Sequence, residues 1–309
     1  MDFVQIMQID SKSEAACLAH AILNTLVYAD IFDYPLTADQ ILRYLTGMRG
    51  APESICEALD NLIDEKVVSR VGQFTMLAGR EGIASRRLER QQTAARLWPK
   101  AVEFGRIIAH LPFVRMAAVT GSLAMNNIDE DGDIDYLIVT APGHLWLCRL
   151  LVLGVVRLAS WRGVRLCPNY LVSESVLELP DHNLYTAHEF AQMVPLFGLD
   201  VYQRMLSVNP WVQDFLPNTD GQSPTIRIDA EPEPTSGLRS LLESVLKTAP
   251  GVWLGKWEME RKIKRLSREN EGNSEAVFNA DLCKGHSRRH GQHTQASLNE
   301  RLQHLSLET

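Results

Sequence analysis

The stretch AVTGSLAMNNIDEDGDIDYLIVT, Ala118 to Thr140, decides how this 309-residue chain is read. An apolar run ends in Gly121-Ser122, a polar segment follows, and Asp133-Ile134-Asp135 opens a second apolar run, Tyr136-Leu137-Ile138-Val139. In a strand, successive side chains point to opposite faces, so Asp133 and Asp135 share one face while Ile134 enters the core. Two carboxylates side by side repel each other, with an energy that scales as ~332/(εr) kcal/mol and grows as water is excluded. A chain that buries such a pair needs a cation beside it, and hard oxygen donors select Mg²⁺ or Mn²⁺ over zinc. Gly121 lets the backbone approach a phosphate, and Ser122, opening a predicted short helix over 122–126, offers a hydroxyl and backbone N–H groups. A calcium loop of the EF-hand type is excluded. Counted from Asp129, its obligatory glycine and glutamate positions hold Ile134 and Thr140.

Outward from this stretch, the pattern predicts strands over 112–120, 133–140 and 165–173, with a helix over 145–160 between the last two. That order describes an α+β fold with a small mixed sheet and helices packed on it. The preceding Ser85–His110 segment predicts one long helix or two, broken or kinked near Pro99. Its arginines, Arg86, Arg87, Arg90, Arg96 and Arg106, form a solvated face or else a phosphate-facing flank of the central site.

Toward the N-terminus, residues 15–30 carry apolar residues at helical spacing. Thr37 caps a helix that runs through Ile41 and Leu45 to a stop at Gly47, and a third helix starts at Pro52. VVSRVGQFTML then reads as two short strands around a Gly72 turn. Three helices and a hairpin are the order of a winged helix. Its third helix carries Glu53, Glu57, Asp60, Asp64 and Glu65, which would repel phosphates, so an interaction or scaffolding role is favoured over DNA binding. On the C-terminal side, residues 181–309 predict a helical region. It contains a proline-rich linker over 217–237 and a charged helix interrupted near Pro250-Gly251. The predicted organisation is 1–80 winged-helix-like, 81–180 central core and 181–309 helical, without internal repeats.

Composition bounds the function. A net charge of −7 opposes a protein that coats nucleic acid by charge alone. Five scattered cysteines without a CxxC pair fit a reducing compartment. The N-terminus lacks a basic start and cleavage site, and Arg149 and Arg157 interrupt the most apolar run. The expectation is a soluble, cytoplasmic protein with no membrane partner.

Gly121-Ser122, a ten-residue spacer, and Asp133-x-Asp135 between apolar residues resemble the signature of the nucleotidyltransferase superfamily related to DNA polymerase β. The resemblance covers residues 112–173. It implies a two-metal transfer of a nucleoside monophosphate from an NTP to an acceptor hydroxyl, with release of pyrophosphate. Asp133 and Asp135 would be metal ligands and catalytic residues, Gly121 and Ser122 would bind the nucleotide, and Mg²⁺ or Mn²⁺ would be the cofactor. The acceptor, a small molecule, protein or nucleic acid, is not specified. The family also places a third carboxylate on the following strand. Asn169 stands at that height here, with Glu174 and Glu189 as possible substitutes, so the alternative is a catalytically weak or inactive nucleotide-binding or regulatory protein. A second group, Cys283, His286, His290 and His293, would align on one stripe if DLCKGHSRRHGQH were helical, a spacing suited to zinc. Gly285 and Gly291 weaken such a helix, and Lys284, Arg288 and Arg289 oppose a cation, so a polar helical face is the other reading. GxSxG, GxxxxGK[ST] and strand-linked GxGxxG motifs do not occur.

Overall fold

Local signals set the N-terminal elements in the computed structural model, which describes residues 3–219, 237–273, 275–285 and 290–308. Helix α1 (Phe3–Asp30) begins earlier than its apolar spacing predicts. Thr37 starts α2 (Ala38–Arg43) through a reciprocal capping box with Gln40. The helix ends before Leu45, because Tyr44 and Leu45 turn into the core instead of continuing it. Pro52 opens α3 (Pro52–Asp64). Strands β1 (Val68–Val71) and β2 (Phe74–Leu77) form an antiparallel hairpin, and Gly72 takes the turn at φ +60°. Thr75 also bridges back to Leu36. Ile22, Leu26, Ile41, Leu45, Ile55 and Leu59 lock this unit together.

Of the two forms expected for this segment, one long helix or a pair, the chain takes the first, as helix α4 (Ile83–Ala109) continues through Pro99. Its buried stripe of Ala94, Trp98, Ala101, Phe104 and Ile108 packs on the sheet. Burying two large aromatics at about 25 cal/mol/Å² outweighs the roughly 3 kcal/mol that an interior proline costs. Its arginines are divided: Arg86, Arg96 and Arg106 are exposed, as a solvated face requires, and Arg87 and Arg90 are not. Arg87 is only 2% exposed, while Arg86, Arg90 and Arg96 pair with Asp33, Asp129 and Glu130.

The chain continues through β3 (Val114–Thr120), α5 (Gly121–Ala124), β4 (Ile134–Thr140), α6 (Leu145–Trp161), β5 (Leu166–Ser173) and α7 (Leu184–Gln192). Next come β6 (Val194–Phe197), α8 (Leu199–Ser207), α9 (Val212–Phe215), α10 (Gly237–Leu246) and α11 (Ala249–Glu269). Strands β7 (Val277–Phe278) and β8 (Leu282–Lys284) precede α12 (His290–Glu308). The six-stranded sheet has the order β6-β3-β4-β5-β8-β7. Strands β4 and β5 are parallel, joined by α6, and the other neighbours are antiparallel. The fold is therefore α+β around one mixed sheet.

The C-terminal third departs from the helical expectation. VPLF is strand β6, at the sheet edge where Pro195 forfeits no essential ladder bond. Leu282–Lys284 is also a strand, paired with β5. Residues beyond 181 thus complete both edges of the sheet. The predicted linker over 217–237 falls almost wholly on residues 220–236, outside the described residues. Among the described residues no helix is long and apolar enough to cross a membrane.

Candidate functional site

The sheet places Gly121 against Asp135. Thr120, last in β3, stands opposite Asp135 in β4. Gly121 then turns at φ +65°, and a Cβ there would lie 2.6 Å from Asp135 Oδ2. Only glycine fits, both for its backbone and for the space beside it. Asp135 is flanked on β5 by Cys167. Asn169 donates from Nδ2 to Asp135 Oδ1, and Cys167 Sγ donates to Asn169 Oδ1 at 2.7 Å. The amide thus stands beside Asp135 on the neighbouring strand. Asp133 precedes β4 rather than lying in it. Its carboxylate is 51% exposed and accepts from Arg165 Nε at 2.9 Å.

Helix α7 brings a third carboxylate. Asn183 caps it by accepting from the Thr186 N–H at 2.9 Å. Tyr185, His188, Glu189 and Gln192 then recur at helical spacing and line the same cavity as Gly121, Ser122, Asp133, Asp135 and Asn169. Glu174 does not take part. It pairs with Arg204 and Arg115 beside a separate groove. The helical spacing of α7 was readable in the sequence, but its direction toward β4 depends on the edge strand β6 that follows it.

The floor of the cavity is short of positive charge. Burial, followed by Glu189 and Asp133, pushes the Asp135 carboxyl up to about 8, against smaller opposing hydrogen bonds from Asn169 and Cys167. Burial pushes Glu189 up to about 7, with Lys284 pulling the other way. The Cys167 thiol is driven up to about 12 by burial and then by the two aspartates. Oxygen donors with raised proton affinity suit a hard divalent cation. No group of three His, Cys, Asp or Glu side chains forms a ready-made metal cage among the described residues. Magnesium characteristically takes one or two carboxylates, waters and substrate phosphates, so the donor set fits that ion and not a structural zinc.

The single helix on which Cys283, His286, His290 and His293 would share a stripe is not formed. Cys283 lies buried in β8 opposite Leu171 rather than on a helix, because that segment completes the sheet. His293 is in α12, and His286 lies outside the described residues.

The opposite wall of the cavity, whose volume is about 640 Å³, comes from the N-terminal region: Thr25, Tyr28, Phe32, Tyr34, Leu36 and Tyr44. Tyr34 fixes it in place. Its hydroxyl donates to Met125 O at 3.0 Å and accepts from Gln40 Nε2 at 2.9 Å and Arg87 Nη2 at 2.8 Å. Arg87 also donates to Met125 O at 2.9 Å and stacks 3.8 Å from the centre of the Tyr34 ring. The anchored residues 125–127 directly follow the Gly-Ser helix, so the wall is registered to that pair. Tyr28 stacks on His188 with ring centres 4.0 Å apart. Burial pushes His188 down to about 3, which leaves the imidazole neutral. Sequence reading missed this wall, because nothing local links Tyr28 or Phe32 to Asp135.

No protein-family model, curated protein or solved structure matches this chain.

Proposed function

We propose that this chain transfers a nucleoside monophosphate from a nucleoside triphosphate to an acceptor hydroxyl, with Mg²⁺ or Mn²⁺ as cofactor. The observation that carries the reading is the contact of Gly121 with Asp135, which joins the two halves of the Gly-Ser…Asp-x-Asp motif at one end of β3 and β4. The antiparallel β3–β4 pair and the parallel β4–β5 pair across α6 agree with the strand and helix order that the resemblance implies. The three helices and hairpin before them are read as a winged-helix-like module. The exposed carboxylates of its α3 support a scaffolding role rather than a DNA-reading one.

In this mechanism Gly121 leaves room for the polyphosphate, and Ser122 offers its hydroxyl and N–H to a phosphate oxygen. Asp133 and Asp135 would hold the cation, Glu189 lines the same cavity, and Asn169 orients the Asp135 carboxylate through its donated bond. The bound cation supplies charge neutralisation and a lowered pKa at the acceptor hydroxyl. The acceptor oxygen bonds to the α-phosphorus, the α–β anhydride breaks, the hydroxyl proton is released and pyrophosphate leaves. The protein's contribution is positioning and electrostatics. A labelled-NTP transfer assay over cell extract, with Mg²⁺ or Mn²⁺, should yield a labelled acceptor and stoichiometric pyrophosphate. Nucleotide binding without any transfer would replace this reading with the second one.

That second reading, a nucleotide-binding protein without turnover, is favoured by one arrangement. Asn169, which stands beside Asp135 on the neighbouring strand, is an amide and not an acid, and the Asp133 carboxylate is engaged by Arg165.

A further inference from the structure

We propose that the N-terminal region is the nucleobase-recognition wall of this site: Tyr28 and Phe32 pack the planar base of the triphosphate, and His188 Nε2 hydrogen-bonds its edge. The proposal rests on the nucleotide reading above and assigns the base end of the same ligand. Four observations carry it.

First, the aromatic wall and the Gly121–Asp135 floor line one continuous cavity of about 640 Å³, within the roughly 300–1,000 Å³ of small-molecule sites. Second, the two ends differ in charge. The lining residues of the N-terminal region include no Lys, Arg, Asp or Glu, while Asp131, Asp133, Asp135 and Arg165 belong to the Gly121–Asp135 floor, with Glu189 on α7 between the two, near enough to Tyr28 to act on it. A polyphosphate with its cation suits the charged end, and the uncharged part of the same molecule suits the aromatic end. Third, His188 is 4% exposed, and its Nε2 has no hydrogen-bond partner among the described residues. Nδ1 is already engaged by Gln192 Nε2 at 3.3 Å. A buried ring nitrogen without a partner is costly, and a base edge in the cavity would provide one. Fourth, Phe32 keeps 38% of its surface exposed, although its backbone carbonyl is held by Asn127 Nδ2 at 3.1 Å and Arg90 Nη1 at 3.2 Å. An apolar ring held open by polar anchors is a stacking platform, and stacking on it needs only the flat face that every base has.

Calorimetry with the full chain and Mg²⁺ tests this, using α,β-methylene ATP, GTP, CTP and UTP analogues and inorganic tripolyphosphate as the base-free probe. The proposal predicts that at least one analogue binds tenfold or more tighter than tripolyphosphate. Phe32→Ala and His188→Ala should each remove about tenfold of that advantage, the worth of one base–aromatic or edge contact, and leave tripolyphosphate affinity unchanged. Phe32→Ala alters a half-exposed side chain, so it decides the matter even if His188→Ala fails to fold. Analogues no tighter than tripolyphosphate, or unaffected by Phe32→Ala, would overturn the nucleobase assignment while leaving the phosphate site standing. If neither analogue nor tripolyphosphate binds, the nucleotide reading itself fails.

Discussion

The floor and the wall of the cavity are built on opposite principles. On the floor, Asp135 and Glu189 hold their protons more tightly than free carboxyls, Asp135 because of burial and then the nearby Glu189 and Asp133, and Glu189 because of burial that Lys284 only partly offsets. In the wall, Tyr34, Gln40 and Arg87 satisfy one another and the Met125 carbonyl in a closed set of hydrogen bonds. A polar group that the fold leaves in want of a partner points to a ligand, whereas a satisfied one points to a role in holding the site together. Floor substitutions should therefore abolish activity with little loss of stability, and substitutions in the clamp should unfold the wall.

The largest effect is expected from Asp133→Ala combined with Asp135→Ala. Pyrophosphate release should fall by at least about 10³-fold while the circular dichroism spectrum is unchanged. A double variant that retains activity would break the comparison at its floor. Glu189→Gln should cost about 10–100-fold in kcat at similar KM, which separates a third acid in the site from a surface glutamate. Arg87→Ala belongs to the wall. It removes the bonds that Arg87 donates to the Tyr34 hydroxyl and to the Met125 and Asn126 carbonyls and leaves a cavity under the Tyr34 ring, and denaturant unfolding should show a loss of about 2–4 kcal/mol.

The smallest effect has the opposite sign. Because the Asp135 carboxyl is raised from 3.8 to about 8 in the fold, the native state takes up its proton between those values. Its contribution to stability is complete below about pH 4 and is lost as pH rises toward 8. Asp135→Asn removes that loss, so without metal at pH 8 the variant should melt a few degrees above wild type, for a gain of about 1 kcal/mol. A lower melting temperature would show that the floor is stabilised by its charge and not strained by it.

What the sequence disclosed follows the range of the forces involved. Thr37, Pro52 and Gly72 act within a few residues, and their helix starts and turn are where local chemistry predicts. The Gly121 and Asp135 neighbourhood was legible because it joins the ends of two strands that follow one another in the chain, with only α5 and a turn between them. The VPLF and LCK strands were not, since a strand of three or four residues exists only through its partner, here β3 for one and β5 for the other. Arg87 looked like one more exposed arginine of a basic helix. Its burial is set by Tyr34, 53 residues away in the chain. Asn169 was recognised as a departure from the acidic pattern, and it stands beside Asp135. The aromatic wall had no local signature at all.

The most direct test of the central claim is a calorimetric titration of Mn²⁺ into the protein with a non-hydrolysable NTP analogue, at pH 6 and at pH 8. Since Asp135 must give up its proton near pH 8 to accept a cation, and Glu189 in the same cavity titrates near 7, affinity should rise by tenfold or more between the two pH values, with proton release, and vanish in Asp133→Ala/Asp135→Ala. Binding that is equally tight at both pH values and survives the double substitution would place the ion elsewhere and contradict the account.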